Sequence, residues 1–185
     1  MGKFIFTPTE IKDVVVIEPK VFGDERGYFM ETYSEKDFSE AGLEYKFVQD
    51  NQSSSRRGVL RGLHFQKENP QAKLVRVIAG EVFDVAVDLR EGSETFGKWV
   101  GVMLSAKNKK QLMIPRGFAH GFLVVSEMAE FVYKCDDFYH PEDVGGIMYD
   151  SAGIEWPEIE GELVLSEKDL KHPRLEELDF KFKEV

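Results

Sequence analysis

Four segments set polar side chains inside otherwise apolar runs: FVQDNQ at 47–52, RGLHFQ at 61–66, PRGFAHGF at 115–122 and FVYKCDDFY at 131–139. A β-barrel interior holds such groups only as a ligand site or as a satisfied hydrogen-bond network. His64 shares strand parity with Leu60 and Gly62, which makes it a lining residue, and Gly62 leaves room beside it for a ligand or another backbone. Taken alone, a hydrogen-bonded core histidine fits that position equally well. His120 follows the turn Pro115-Arg116-Gly117, where a metal ligand, a catalytic partner or a structural histidine would each fit. Tyr133 shares a face with Phe131 and Cys135, a setting in which tyrosine is more often core than catalyst. Lys73 opens an apolar strand, where snorkelling to solvent is the simple explanation.

Metal binding is the competing use of histidines in a small barrel, and counting ligands tests it. Metal-binding cupins carry His-x-His followed by Glu, then Pro-x-Gly-x-x-His. Here the second motif stands as Pro115 to His120, whereas the first reads His64-Phe65-Gln66, with Glu68 in a Pro-bounded turn as the remaining acid. Two histidines make a poor first coordination shell, so no metal and no cofactor is expected.

The elements that must position these residues are short β runs separated by turn residues, the pattern of a sandwich or barrel. Strands are expected from Val14, Tyr28 (YFMETY), Val59, Lys73, Glu81, Lys98, Lys110, His120 and Glu130. In EVFDVAVDL, Phe83, Val85, Val87 and Leu89 alternate with Asp84 and Asp88, the period of a half-buried strand. Two helices, EKDFSEAG after Ser34 and EKDL after Ser166, read as peripheral. The early strands between Phe4 and Ile17 have no evident hairpin partner, and pairing with a second copy would cover such an edge.

With 185 residues, 42% hydrophobic, the chain is long enough for one sizeable core. A single domain over 1–185 is therefore expected. No apolar run approaches a membrane span, and MGKFIFTPTE lacks the zones of a signal peptide; a cytoplasmic protein is the expectation. Cys135 is the sole cysteine, which excludes an internal disulfide. The net charge of -10 disfavours polymeric nucleic acid. Against that trend, Arg56, Arg57, Arg61, Lys67, Lys73 and Arg76 stand with only Glu68 opposing them between 52 and 80. A small anionic ligand or a solvated basic loop accounts for the cluster.

Taken together and in order, FGDERGYF, FVQDNQS, VLRGLHFQ, KLVRVIAGEVFDVAVDLR, FGKWVGV, IPRGFAHGF, EFVYK and GIEWP closely resemble the dTDP-4-dehydrorhamnose 3,5-epimerases, from Asp13 to about Pro173. The resemblance implies an all-β, cupin-type jelly-roll barrel with short peripheral helices. It also implies a homodimer with exchanged N-terminal strands, and dTDP-4-dehydro-6-deoxy-D-glucose as substrate. By the same resemblance His64 is the catalytic base, Asp169 the carboxylate that orients it, Tyr133 the opposing acid and Lys73 a positive group at the reacting sugar. Arg61, His120, Gln49, Asp50, Asn51, Tyr139 and Lys168 are implied to contact the nucleotide sugar, with Arg26 and Glu31 supplied by the neighbouring subunit. Two positions depart from the family pattern: Val144 and Arg116 stand where glutamate is common, with Glu142 or Asp143 as substitutes for the first.

These residue types suit that chemistry. C3 and C5 both flank the C4 ketone, so either deprotonation places charge on one oxygen. A cationic donor there is worth about 2.7–4 kcal/mol in measured oxyanion sites. Inversion needs a base on one face and an acid on the other. Histidine titrates near neutrality, and tyrosine stays protonated at pH 7. The alternatives are a relative that inverts one carbon, a silent sugar-binding barrel and a metal-dependent cupin.

Overall fold

The computed structural model describes residues 2–183, so Met1, Glu184 and Val185 of the expected domain lie outside the described residues. Runs of Val, Phe, Leu and Ile with period two form strands because branched and aromatic side chains pack well on a pleated surface. In chain order these are β1 (Phe4–Pro8), β2 (Val15–Pro19), β3 (Phe22–Asp24), β4 (Gly27–Phe29), β5 (Gln49–Arg56), β6 (Leu60–Gln66) and β7 (Lys73–Ala79). Then follow β8 (Glu81–Asp88), β9 (Trp99–Ser105), β10 (Gln111–Ile114), β11 (Phe118–Val124), β12 (Met128–Cys135) and β13 (Val144–Gly146). One helix, α1 (Glu35–Glu40), lies between β4 and β5.

The strands form a six-stranded sheet, β1-β2-β10-β7-β12-β5, and a five-stranded sheet, β13-β6-β11-β8-β9, with β3-β4 as a separate hairpin. Their neighbours in these sheets pair antiparallel, and the crossovers give the jelly-roll form expected from the sequence. Side chains from both sheets meet in one core, including Val75, Leu112 and Phe131 from the first and Val82, Leu104 and Phe122 from the second. Burying one such aromatic is worth about 1.5–3 kcal/mol. The tight turn from β7 to β8 needs Gly80: its φ is 73°, and a Cβ would stand 1.9 Å from the Met128 carbonyl oxygen.

Both outer faces are covered as well. Phe38 of α1 packs with Phe4, Ile17, Leu74 and Met113 over the six-stranded sheet. The C-terminal segment lays Trp156, Leu175, Phe180 and Phe182 against Leu63, Val85, Val87 and Leu89 of the five-stranded sheet.

Several expectations are corrected. β8 is buried on both faces: Asp84 and Asp88 are inaccessible to solvent, as are Val85 and Val87. β1 does find a local partner, pairing with β2 from Phe4↔Pro19 to Pro8↔Val15, and β2 pairs with β10. The N-terminal strands therefore close on their own sheet. YFMETY contributes only Tyr28 and Phe29, exposed at the end of β4, while Met30 to Tyr33 follow outside any strand with Tyr33 packed edge-on against Phe38. β5 appears where the polar run QDNQSSSR gave no strand signal, held along its length by β12. Ser34 caps α1 as expected, accepting from the Asp37 N–H. The second helix shrinks to a 3-10 turn at Asp169–Lys171, and it closes on the barrel instead of lying at the periphery.

Asp88 locks the end of β8. It accepts from Arg90 Nε at 3.0 Å, Arg90 Nη2 at 2.9 Å, Ser93 Oγ at 2.7 Å and Thr95 Oγ1 at 2.6 Å. Burial works to raise its pKa, but these bonds outweigh burial and hold it below 3.8. A depressed folded pKa stabilises the fold fully above the unfolded value and loses that contribution as pH falls through the folded one. Asp88→Asn is expected to lower stability by about 3 kcal/mol at neutral pH. Denaturant melts of both proteins from neutral to acid pH should show the gap closing below about 3.8.

Candidate active site

A cavity of about 1000 Å³ opens between the sheets. Its floor is apolar, with Phe122 and Phe131 stacked at a centroid distance of 4.2 Å. One wall, from the five-stranded sheet, presents Arg61, His64 and His120; the other, from the six-stranded sheet, presents Asn51, Lys73 and Tyr133. Tyr139, Lys168, Asp169 and His172 rim it.

Strict alternation would send Arg61 and His64 to opposite faces of β6. A register shift against β11 brings both to the cavity: His120 pairs with His64, but Phe122 pairs with Arg61, so three steps on β6 match two on β11. Gly62 makes this possible. Its φ is 121°, and a Cβ would stand 2.6 Å from Gly121 Cα and 2.7 Å from the His120 carbonyl oxygen. The space at Gly62 is thus taken by backbone, not ligand.

His64 and His120 are ladder partners, yet each has its own carboxylate. His64 Nε2 lies 2.5 Å from Asp169 Oδ1, and His120 Nε2 lies 2.9 Å from Asp84 Oδ2. Burial works to raise the Asp169 pKa, but the His64 bond and charge outweigh it and keep the carboxyl below its usual range. An ionised Asp169 accepts from His64 Nε2–H, which leaves the lone pair on Nδ1. Burial raises Asp84, against the charges of His120 and Lys73.

Across the cavity, burial raises the Tyr133 pKa, helped by Cys135 and opposed by Arg61, so the phenol stays protonated at neutral pH. Lys73 is not a snorkelling surface residue. It faces inward opposite Cys135, and burial lowers its pKa against the pull of Cys135 and Asp84. Cys135 is buried core, its thiol pushed up to about 11 by desolvation. His172 lies 3.8 Å from Asp169 Oδ1 and edge-on to His64 at 5.5 Å; burial and His64 lower its pKa, against Asp169.

Other sequence-derived positions are sorted by parity. Asp50 points outward, bonds Lys134 at 2.9 Å and lines a separate recess of about 360 Å³. Gln49 does not line the cavity but bonds Asn51 and accepts from the Tyr139 N–H, so it acts as a support. Arg26 and Glu31 stand away from the cavity, bonded to Asp24 and Lys3. Arg116 pairs with Asp136 and Asp137. Val144 does line the cavity, whereas Asp143 caps the Glu68 and Asn69 N–H groups and Glu142 lies outside, so neither replaces an acid there. Gln66, where a metal-binding barrel would place a second histidine, is engaged by backbone at Asn69, Phe138 and His140.

Asp84 and His172 are the site residues that sequence reasoning missed. A carboxylate amid the valines of β8 was a signal for Asp84, but only the sheet order gives it His120 as partner. For His172 there was no periodic signal.

An imidazole backed by a carboxylate and a phenol facing it across a closed jelly roll define a carbohydrate-epimerase type of site, an acid–base isomerase in a cupin-type fold. The family model described as dTDP-4-dehydrorhamnose 3,5-epimerase matches residues 8–177, and the chain belongs to that family. It is 57% identical to the dTDP-4-dehydrorhamnose 3,5-epimerase of Methanothermobacter thermautotrophicus, over 91% of this chain and 93% of that one. Identity to the Shigella flexneri enzyme of the same name is also 57%, over 93% and 96%. The crystal structure of a dTDP-6-deoxy-D-glucose-3,5-epimerase from Legionella pneumophila, in complex with dTDP-4-keto-L-rhamnose, superposes with a TM-score of 0.94 at 49% identity, covering 98% of this chain and 100% of that one.

Gly62→Ala should cost more than about 1 kcal/mol, because its methyl group collides with β11 and the positive φ disfavours any side chain. Activity should fall with it as His64 and Arg61 lose their common face. Thermal melts and initial rates on the purified variant check both.

Proposed function

We propose that the chain epimerises C3 and C5 of dTDP-4-dehydro-6-deoxy-D-glucose to give dTDP-4-dehydro-L-rhamnose, in dTDP-L-rhamnose biosynthesis. The reading rests on His64 and Tyr133 lining one cavity from opposite sheets. Protons can then leave one face of a sugar ring and arrive on the other. The names of the relatives support the substrate.

In this reading His64 Nδ1 takes the proton from C3 or C5, and Asp169 stabilises the imidazolium that forms. The released electron pair becomes an enolate with its charge on the C4 oxygen. Lys73 is the cation on that wall, and a buried ammonium gains most from a new anion beside it. Tyr133 delivers a proton to the opposite face of the carbon. His120, fixed by Asp84, presents an oriented imidazole to the ring, while Asn51 adds an amide to the opposing wall. Arg61, held by Ser55 at 3.0 Å, offers a guanidinium edge to the diphosphate, with Lys168 nearby and Tyr139 at the mouth for the nucleoside. The proton transfers need no metal or organic cofactor.

The active form in this reading is a cytoplasmic homodimer with one catalytic domain per chain. No helix among the described residues is long and apolar enough to cross a membrane. Val21, Phe22, Tyr28 and Phe29 are all exposed on and beside the β3-β4 hairpin, an apolar patch that a second copy would cover. This hairpin, not β1, is the segment offered for exchange, and it carries Arg26 and leads to Glu31 as groups for the partner's nucleotide. Light scattering should give twice the chain mass, and Phe22→Asp with Phe29→Asp should shift it toward the monomer.

His64→Ala is expected to lower kcat by about 10²–10⁴ and to stop solvent deuterium entering C3 and C5. Tyr133→Phe should slow inversion more than exchange. Proton NMR of the dTDP-4-keto sugar in deuterium oxide reads both carbons separately. Wild-type deuterium wash-in by the histidine variant would overturn the base assignment.

A further inference from the structure

His64, Asp169 and His172 bring two imidazoles and a carboxylate together, with one ligating atom from each lying within 4.8 Å of the others. Two of the three come from a single short stretch of chain: Asp169 and His172 are spaced i,i+3 across the 3-10 turn, and the third comes from β6. His172 is held in place by shape. Its ring lies on Gly146, where an added Cβ would stand 2.6 Å from Nε2 and 2.7 Å from Cδ2 and Cε1, and Gly146 is the ladder partner of His64.

We propose that these three side chains form a binding site for a late first-row divalent cation such as Zn²⁺, and that occupancy and catalysis exclude each other. Two imidazoles with one carboxylate suit Zn²⁺, Co²⁺ or Ni²⁺, whereas Mg²⁺ and Ca²⁺ prefer all-oxygen shells. Tetrahedral Zn²⁺ with bonds of about 2.0–2.1 Å sets its donors about 3.4 Å apart. The separations from Asp169 Oδ1, 2.5 Å to His64 Nε2 and 3.8 Å to His172 Nε2, fall on either side of that value. The fourth position opens on the cavity, which all three residues line. Lys168 and Lys171 also line it and oppose the ion from the same turn, so the site is one of moderate affinity.

Exclusion follows from the proton inventory of the ring. In the metal-free protein the proton is on His64 Nε2, shared with Asp169, and Nδ1 carries the lone pair. An ion on Nε2 takes the place of that proton, which moves to Nδ1 as the ring changes tautomer, because a neutral imidazole metallated on one nitrogen carries its single proton on the other. The nitrogen that must accept the substrate proton is then blocked. The ion is an inhibitor, distinct from the cofactor of a metal-dependent barrel: two of its three ligands come from the C-terminal turn and none from the position of Gln66.

The test is calorimetric titration of the full chain with ZnCl₂, and with CoCl₂ while following visible d–d absorption, both without substrate. Metal binding is thus read independently of the reaction assigned above. One ion per chain is expected, with MgCl₂ silent and EDTA reversing the signal. His172→Gln should weaken Zn²⁺ binding by at least about tenfold. Its inhibition curve, normalised to its own metal-free rate, should move by the same factor. Gly146→Ala, which pushes the His172 ring off its seat without removing it, should change affinity in the same direction and covers the case in which the first variant fails to fold. Absence of heat and of d–d bands, or unchanged Zn²⁺ affinity in both folded variants, would overturn the proposal.

Discussion

The contact between His64 and Asp169 ties the last part of the chain to the middle of the barrel, 105 positions apart in sequence. A carboxylate as buried as Asp169 is stable only if a donor meets it, and an imidazole in a cavity wall has a defined tautomer only if something accepts from it. Each group therefore satisfies a requirement of the other. The single turn carrying Asp169 is held by Ser166, which accepts from the Asp169 N–H at 3.1 Å. The same contact that orients the imidazole also closes one side of the cavity.

This arrangement is repeated with different partners deeper in the barrel. Asp84 and His120 form a second buried pair, and Lys73 faces the same interior from the other sheet. Replacing such pairs by apolar side chains often costs a fold nothing. Here they stand in a sandwich whose other packing is three apolar clusters, one between the sheets and one on each outer face. The surrounding apolar clusters supply the stability that lets the cavity between the sheets remain polar.

Backbone detail sets how the polar groups converge. On a regular strand Arg61 and His64 would diverge; the bulge at Gly62 and the close approach of Gly121 turn both inward. A guanidinium and an imidazole three positions apart on one strand thus line the same cavity. The outward turn of Asp50 on β5 shows the opposite case, where unbroken alternation sends a residue from a polar motif to the outer face.

By itself the sequence determined the class of fold, most strand positions and many of the polar side chains that line the cavity. Period-two apolar runs are local, and motifs such as RGLHFQ and EFVYK are contiguous. It also placed Ser34 as a helix cap, since that bond spans three residues. Tertiary structure alone decided who faces whom. The pairing of Asp84 with His120 depends on β8 lying beside β11, and the seat of His172 on Gly146 depends on β13 and the final turn meeting. The second burial of β8 and the pairing of β1 with β2 likewise required knowledge of what covers each face and edge. Such relations join residues far apart along the chain, so no local periodicity encodes them. They arise from packing all elements at once under the demand that every buried polar group find a partner.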